Sequence, residues 1–142
     1  MPDIPPVGPI QPIGVVRSSL RDVGDAPRQP TEGAPAATLE LDPRYADALH
    51  RLSPGDDVIV LTWLHLADRE VRHVHPMGDT RIPMTGVFAT RSPDRPNPIG
   101  LHRVTVLAVE PPATLRVGAL EAVDGTPILD LKIAIEPAPS DA

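Results

Sequence analysis

The sequence predicts an all-β domain, a small barrel or sandwich of short strands with one short helix and long proline-rich loops. Three observations predict it. The 142 residues include 20 prolines, each of which fixes φ and removes a backbone donor, so long helices are disfavoured. Hydrophobic residues make up 41% of the chain but aromatic ones only 2%, so the core must come from valine, isoleucine and leucine, of which the β-branched pair favours strands. Short runs of alternating polarity recur between turn signals.

Residues 1–9 are proline-rich and read as a loose tail ahead of a domain spanning residues 10–136, with a second polar tail at 137–142. Residues 10–17 (IQPIGVVR) form a first strand interrupted by Pro12. Residues 21–36 are polar, carry Pro27, Pro30 and Pro35, and read as a long loop; such loops in small domains are often binding loops. A short strand follows at 38–41. Asp42-Pro43 reads as a helix start, with the acid as N-cap and proline at the first helical position. Tyr45, Leu49 and Leu52 continue at helical spacing, and Ser53-Pro54-Gly55-Asp56 ends the helix in a turn. Residues 57–66 (DVIVLTWLHL) make the strongest strand, with Ile59, Leu61, Trp63 and His65 on one face and Val58 and Val60 on the other. Residues 67–83 read as loop, 84–90 as strand and 91–100 as a second proline-rich loop. Strands at 101–109 and 114–120 are joined by a hairpin at Glu110-Pro111-Pro112-Ala113. Asp124-Gly125-Thr126-Pro127 is a turn, and residues 128–135 (ILDLKIAI) alternate cleanly.

Charge and composition exclude several function classes. A formal net charge of −6 disfavours wholesale binding of nucleic acid by charge, leaving room only for a local basic patch. The absence of cysteine removes disulfides, thiolate metal sites and thiol nucleophiles, and suits a cytoplasmic protein. No leader-like segment opens the sequence and no apolar run is long enough to span a bilayer, so no membrane partner is expected. No glycine-rich dinucleotide or phosphate loop and no nucleophile motif is present. His73 and His75 flank Val74, but without a third ligand at fixed spacing they read as solvated loop histidines, and no metal is expected. His50 and His102 are unremarkable.

The segment richest in chemistry is TRSPDRPNPIGL, residues 90–101. Its prolines restrict the loop before any ligand arrives, so Arg91, Arg95 and Asn97 can be aimed at low entropic cost. Arginine's planar fork suits a carboxylate or a phosphate. The competing explanation is a stiff crossover loop whose arginines pair with Asp94 or other surface acids. Asp124-Gly125-Thr126-Pro127, followed by Asp130 and Lys132, and Pro27-Arg28-Gln29 are weaker candidates, each compatible with an ordinary turn or polar loop.

GVFATRSPDRPNPIGLHRV (residues 86–104) is similar to the signature of the TrmO (TsaA-like, YaeB) family. DGTPILDLK (124–132) resembles its second signature, Pro27-Arg28-Gln29 its third, and IGVVRS (13–18) its opening strand, all in the family's order. The resemblance implies a compact antiparallel β-barrel, S-adenosylmethionine as cofactor, and a homodimer with the cofactor near the subunit interface. It also implies methylation of the exocyclic nitrogen of threonylcarbamoyl-adenosine beside the tRNA anticodon. By this resemblance Pro27, Arg28, Gln29, His65, Leu66, Arg91, Leu101 and the turn Asp124, Gly125, Thr126 and Pro127 would line the cofactor. Asp124 and Asn97 would lie near the reacting amine, and Arg95, Arg103 and Lys132 would contact RNA. The same cofactor site could instead serve a small-molecule acceptor, or a binding domain without catalysis. The chain departs from the family pattern at Ser53–Asp57 and at Ile133-Ala134, and lacks the C-terminal domain of the longer members.

Overall fold

Alternating small aliphatic residues drive the strands of this chain into a closed antiparallel barrel. The computed structural model describes residues 1–21 and 33–135. Its strands are β1 (Gly14–Arg17), β2 (Ala36–Leu41), β3 (Asp57–Trp63), β4 (His73–Val74), β5 (Thr85–Gly86), β6 (Ile99–Glu110), β7 (Thr114–Ala119) and β8 (Pro127–Ile133). Six of them close in the order β1-β2-β7-β6-β3-β8, with β8 returning to β1, while β4 and β5 pair as a separate ribbon. A barrel this narrow has no lumen, so its inward side chains form the core. Val58 and Val60 of β3, Leu39 of β2, Leu115 and Val117 of β7 and Val104 and Val106 of β6 are all buried there.

Several expectations change for local reasons. The first strand begins at Gly14 rather than residue 10, because Pro12 cannot supply a ladder donor. The expected helix after Asp42 is a 3-10 segment, Pro43–Leu49; Asp42 caps it by accepting the Arg44 N–H at 3.0 Å, and only Leu49 within it is buried. The strong strand ends at Trp63, so His65 lies in a turn and not on the Trp63 face. The strand expected at 84–90 is the two-residue β5 followed by a single 3-10 turn, Val87–Ala89, with the Thr90 N–H and hydroxyl both donating to the Val87 carbonyl. The clean alternation of the last strand is broken by a bulge. Leu61 faces Asp130 but Thr62 faces Ile128, which leaves Leu129 as the extra residue. Ile128 and Leu131 therefore both meet the core although three positions apart. Residues 137–142 lie outside the described residues.

Antiparallel closure sorts the connections by end. Residues 18–35, 64–98 and 120–126 join strands at one end; 42–56 and 111–113 join them at the other. Backbone bonds lock the first end together: the Gly125 N–H donates to the Val16 carbonyl at 2.7 Å, and the Asp124 N–H to that of Leu20 at 2.6 Å. The opposite end is pinned by Asp57, which accepts the Thr105 hydroxyl at 2.6 Å and the Arg103 guanidinium at 3.3 Å.

Two predictions follow from the packing and this pin. Truncating Leu39, fully buried, to alanine should cost about 2–5 kcal/mol in denaturant unfolding, whereas truncating the exposed Leu107 should cost less than about 0.5 kcal/mol. The Thr105 hydroxyl, helped by Arg103, holds the Asp57 carboxyl below the usual carboxylate range. A lowered folded value adds stability above the unfolded value, near pH 4, that is lost as pH falls through the folded value. The stability difference between parent and Asp57→Asn should therefore be present at neutral pH and shrink on acidification below about pH 4.

Candidate functional site

The proline-rich loop between β5 and β6 is braced from within. The Thr90 hydroxyl accepts the Ser92 N–H at 3.1 Å, and the Ser92 hydroxyl accepts the Asp94 N–H at 3.2 Å. The Arg95 guanidinium, half-buried, donates to the carbonyls of Ser92 at 2.9 Å, Val87 at 3.0 Å and Thr90 at 3.2 Å. Arg95 was expected to face substrate; the structure instead directs it onto the loop's own backbone. Pro98 is buried, and its carbonyl accepts the Leu64 N–H at 2.8 Å.

The turn after β3 docks on this loop. The Asp94 carboxylate accepts the Asp68 N–H at 2.8 Å. Arg69 donates to the Pro96 carbonyl at 2.7 Å and to the Asn97 side-chain oxygen at 2.9 Å, while its guanidinium lies 5.1 Å above the Trp63 ring. Asn97 is thus oriented by Arg69, a residue that the sequence reading did not single out. Arg91, by contrast, is exposed and makes no hydrogen bond or ion pair with another described residue. Its fork is available to an anion.

The DGTP turn completes this end. Gly125 adopts φ of 87°, which a side chain would strain. Thr126 is buried and donates its hydroxyl to the Val123 carbonyl at 2.7 Å. Asp124 accepts the Ser18 N–H at 3.0 Å on one oxygen and the Arg21 guanidinium at 2.9 Å on the other, with Arg17 at 4.0 Å. Its carboxylate therefore fixes where the chain leaves β1 and keeps 21% of its side chain exposed. Pro27, Arg28 and Gln29 lie outside the described residues, on the connection that Asp124 anchors.

His65 and Leu66 are exposed in the turn after β3, and Leu101 stands on the outer wall beside half-buried Leu61. Arg91, Asn97, His65, Leu66, Leu101 and the 124–127 turn are thus gathered at or beside one end. Arg103 and Lys132 are not. Both pair opposite Ile59 further down the wall, Arg103 bonded to Asp57 and the Lys132 ammonium 3.5 Å from Asp130.

The polar interior was also missed. His102 and Thr62 are buried, and the Thr62 hydroxyl meets His102 Nε2 at 2.8 Å while Nδ1 meets a Glu121 carboxylate oxygen at 2.7 Å. A sequence signal existed: Gly100, His102 and Val104 share the inward face, and a buried polar residue there requires a partner. Among the described residues no three His, Cys, Asp or Glu side chains converge on a metal position, and His75 Nδ1 bonds the Ile82 carbonyl at 2.8 Å.

Barrel and loops together define a small closed antiparallel β-barrel with one end built from loops braced by hydrogen bonds. The family model of the tRNA-methyltransferase O N-terminal domain matches residues 15–138, and the chain belongs to that family. A probable S-adenosyl-L-methionine-binding protein of Methanothermobacter thermautotrophicus is 43% identical over 123 residues, 87% of each chain. An S-adenosyl-L-methionine-binding protein of Archaeoglobus fulgidus is also 43% identical, over 87% of this chain and 86% of its own. The crystal structure of TrmO from Pseudomonas aeruginosa superposes with a TM-score of 0.75 at 32% identity; the match covers 96% of this chain but 60% of that one. No described helix is long and apolar enough to cross a membrane.

Because Arg95 stiffens the loop through three carbonyls, Arg95→Ala should speed amide hydrogen exchange across residues 90–97 by about tenfold or more while leaving β3 unchanged.

Proposed function

We propose that this chain binds S-adenosylmethionine at the end of the barrel bearing residues 18–35, 64–98 and 120–126 and transfers its methyl group. The acceptor in this reading is the exocyclic nitrogen of threonylcarbamoyl-adenosine beside the tRNA anticodon. The observation that carries it is the gathering at one end of sequence blocks far apart in the chain, in a family whose relatives are named for that cofactor.

The residues present fit the group. Arg91, unpaired among the described residues, can receive the methionyl carboxylate through two parallel N–H donors. Leu101 and Leu66 offer apolar walls to the adenine, and by the resemblance Pro27, Arg28 and Gln29 would line the site. The partly exposed Asp124 carboxylate can pair with the ammonium or take the proton that the acceptor nitrogen loses. Asn97, exposed and with its oxygen held by Arg69, has its amide N–H groups left to orient the acceptor. Bound cofactor supplies an electrophilic methyl on a sulfonium; the protein's contribution is alignment of nitrogen, carbon and sulfur.

A homodimer belongs to this reading. Phe88 is 81% exposed, and Leu66, Met84, Ile99 and Leu101 are also exposed, apolar area that a second copy could cover. A cytoplasmic location belongs to it as well. One observation favours a second reading, in which the acceptor is a small molecule or the domain binds without transfer. The cations expected on RNA already have partners within the fold: Arg95 serves its loop, Arg103 serves Asp57, and Lys132 lies beside Asp130.

Calorimetric titration with S-adenosylmethionine tests the core of the proposal. Saturable binding should appear and should weaken by about tenfold or more in Arg91→Ala. Methyl transfer from labelled cofactor to tRNA carrying threonylcarbamoyl-adenosine then separates the readings: transfer supports the tRNA enzyme, and binding without it supports the second. No binding by folded parent protein would overturn both.

A further inference from the structure

The buried chain Thr62–His102–Glu121 plays no direct part in the chemistry above, yet it joins the parts that frame it. Thr62 is the penultimate residue of β3, just before residues 64–98 depart; His102 lies just past the start of β6, where they return; Glu121 is the second residue of the 120–126 segment that carries Asp124. Thr62 and His102 are buried, and the Glu121 side chain is 14% exposed. With Glu121 ionised, the Nδ1–H of His102 donates to it and Nε2 accepts the Thr62 hydroxyl proton, so one neutral tautomer satisfies both bonds.

Steric fit supports the same unit. Gly100 is the cross-strand partner of Thr62, and a side chain at Gly100 would collide with the Thr62 hydroxyl and lie 2.6 Å from His102 Nε2. The glycine thus makes room for the imidazole against the wall. The second Glu121 oxygen is buried without a hydrogen-bond partner among the described residues. Burying a carboxylate in this way is costly, and apolar side chains of similar volume would fill the same space without that cost. What the polar chain adds over an apolar one is directed bonds of fixed length between three segments.

We propose that Glu121 is a positioning residue for the methyl-donor site. Acting through His102 and Thr62, it fixes the spacing between the 91–98 loop and the 124–127 turn. This rests on the cofactor reading above, but it also has a readout that needs no cofactor. Trp63, the only tryptophan, adjoins Thr62 and lies under Arg69, which holds Pro96 and Asn97.

The experiment combines calorimetric titration with S-adenosylmethionine and Trp63 emission of the free protein. Glu121→Ala should weaken binding by roughly tenfold or more and shift Trp63 emission, while Glu121→Gln, whose amide oxygen still accepts the Nδ1 proton, should stay within about threefold of the parent. Leu115→Val, a core change at the opposite end, should lower the Tm without altering affinity or emission. If Glu121→Ala does not fold, Thr62→Val removes the last bond at similar volume and should give the same weakening. Parent-like affinity in Glu121→Ala or Thr62→Val, or equal weakening in Leu115→Val, would overturn the proposal. A parent that binds no cofactor would sink the cofactor reading instead. In that case a Trp63 shift confined to the relay variants would support the clamp, and its absence would overturn that too.

Discussion

Closure of six antiparallel strands into one barrel leaves two ends, and connectivity alone decides which loop reaches which. Residues 18–35, 64–98 and 120–126 share an end because each joins strands running in the same pair of directions. Closure makes neighbours of segments separated by nearly the whole chain, and side-chain bonds such as Arg21 to Asp124 then fasten them. The core that enforces this is valine and leucine, with little aromatic mass, so the ends carry what specificity the domain has.

Rigidity at the favoured end has two sources. Prolines restrict the 90–98 loop locally, and charged side chains tie its backbone to neighbours: Arg95 inward, Arg69 and Asp94 across to the turn after β3. Asp124 performs the same task for the departure from β1. Such exposed or half-exposed bonds contribute modestly to folding stability. Their consequence is geometric, since a loop already ordered loses less entropy when a ligand binds. Several arginines therefore act on the backbone and leave Arg91 as the one in the 90–98 loop without a partner among the described residues.

The strand order of the chain was legible where alternation was strong, as at residues 57–63 and 114–119, and where turn residues were unambiguous, as at Asp124-Gly125. It was not legible at residues 84–90, where an apolar run is consumed by a two-residue strand and a 3-10 turn, nor at Leu129, where a bulge resets the alternation. Individual residues show the same division. The resemblance grouped Arg91, Asn97 and Asp124 in one site, and connectivity puts their segments at one end, but composition could not tell the bracing Arg95 from the exposed Arg91. His102 lies inside the 86–104 block but not among the residues that block assigns to the site, and its partners Thr62 and Glu121, distant in sequence, meet it only through closure.

Hydrogen exchange with and without saturating S-adenosylmethionine shows which end of the barrel takes the proposed ligand. Binding at the proposed end should slow exchange in residues 64–66, 90–98 and 120–127 and leave 42–56 and 111–113 unchanged. Protection concentrated in 42–56 and 111–113 would contradict it and move the site to the opposite end of the barrel.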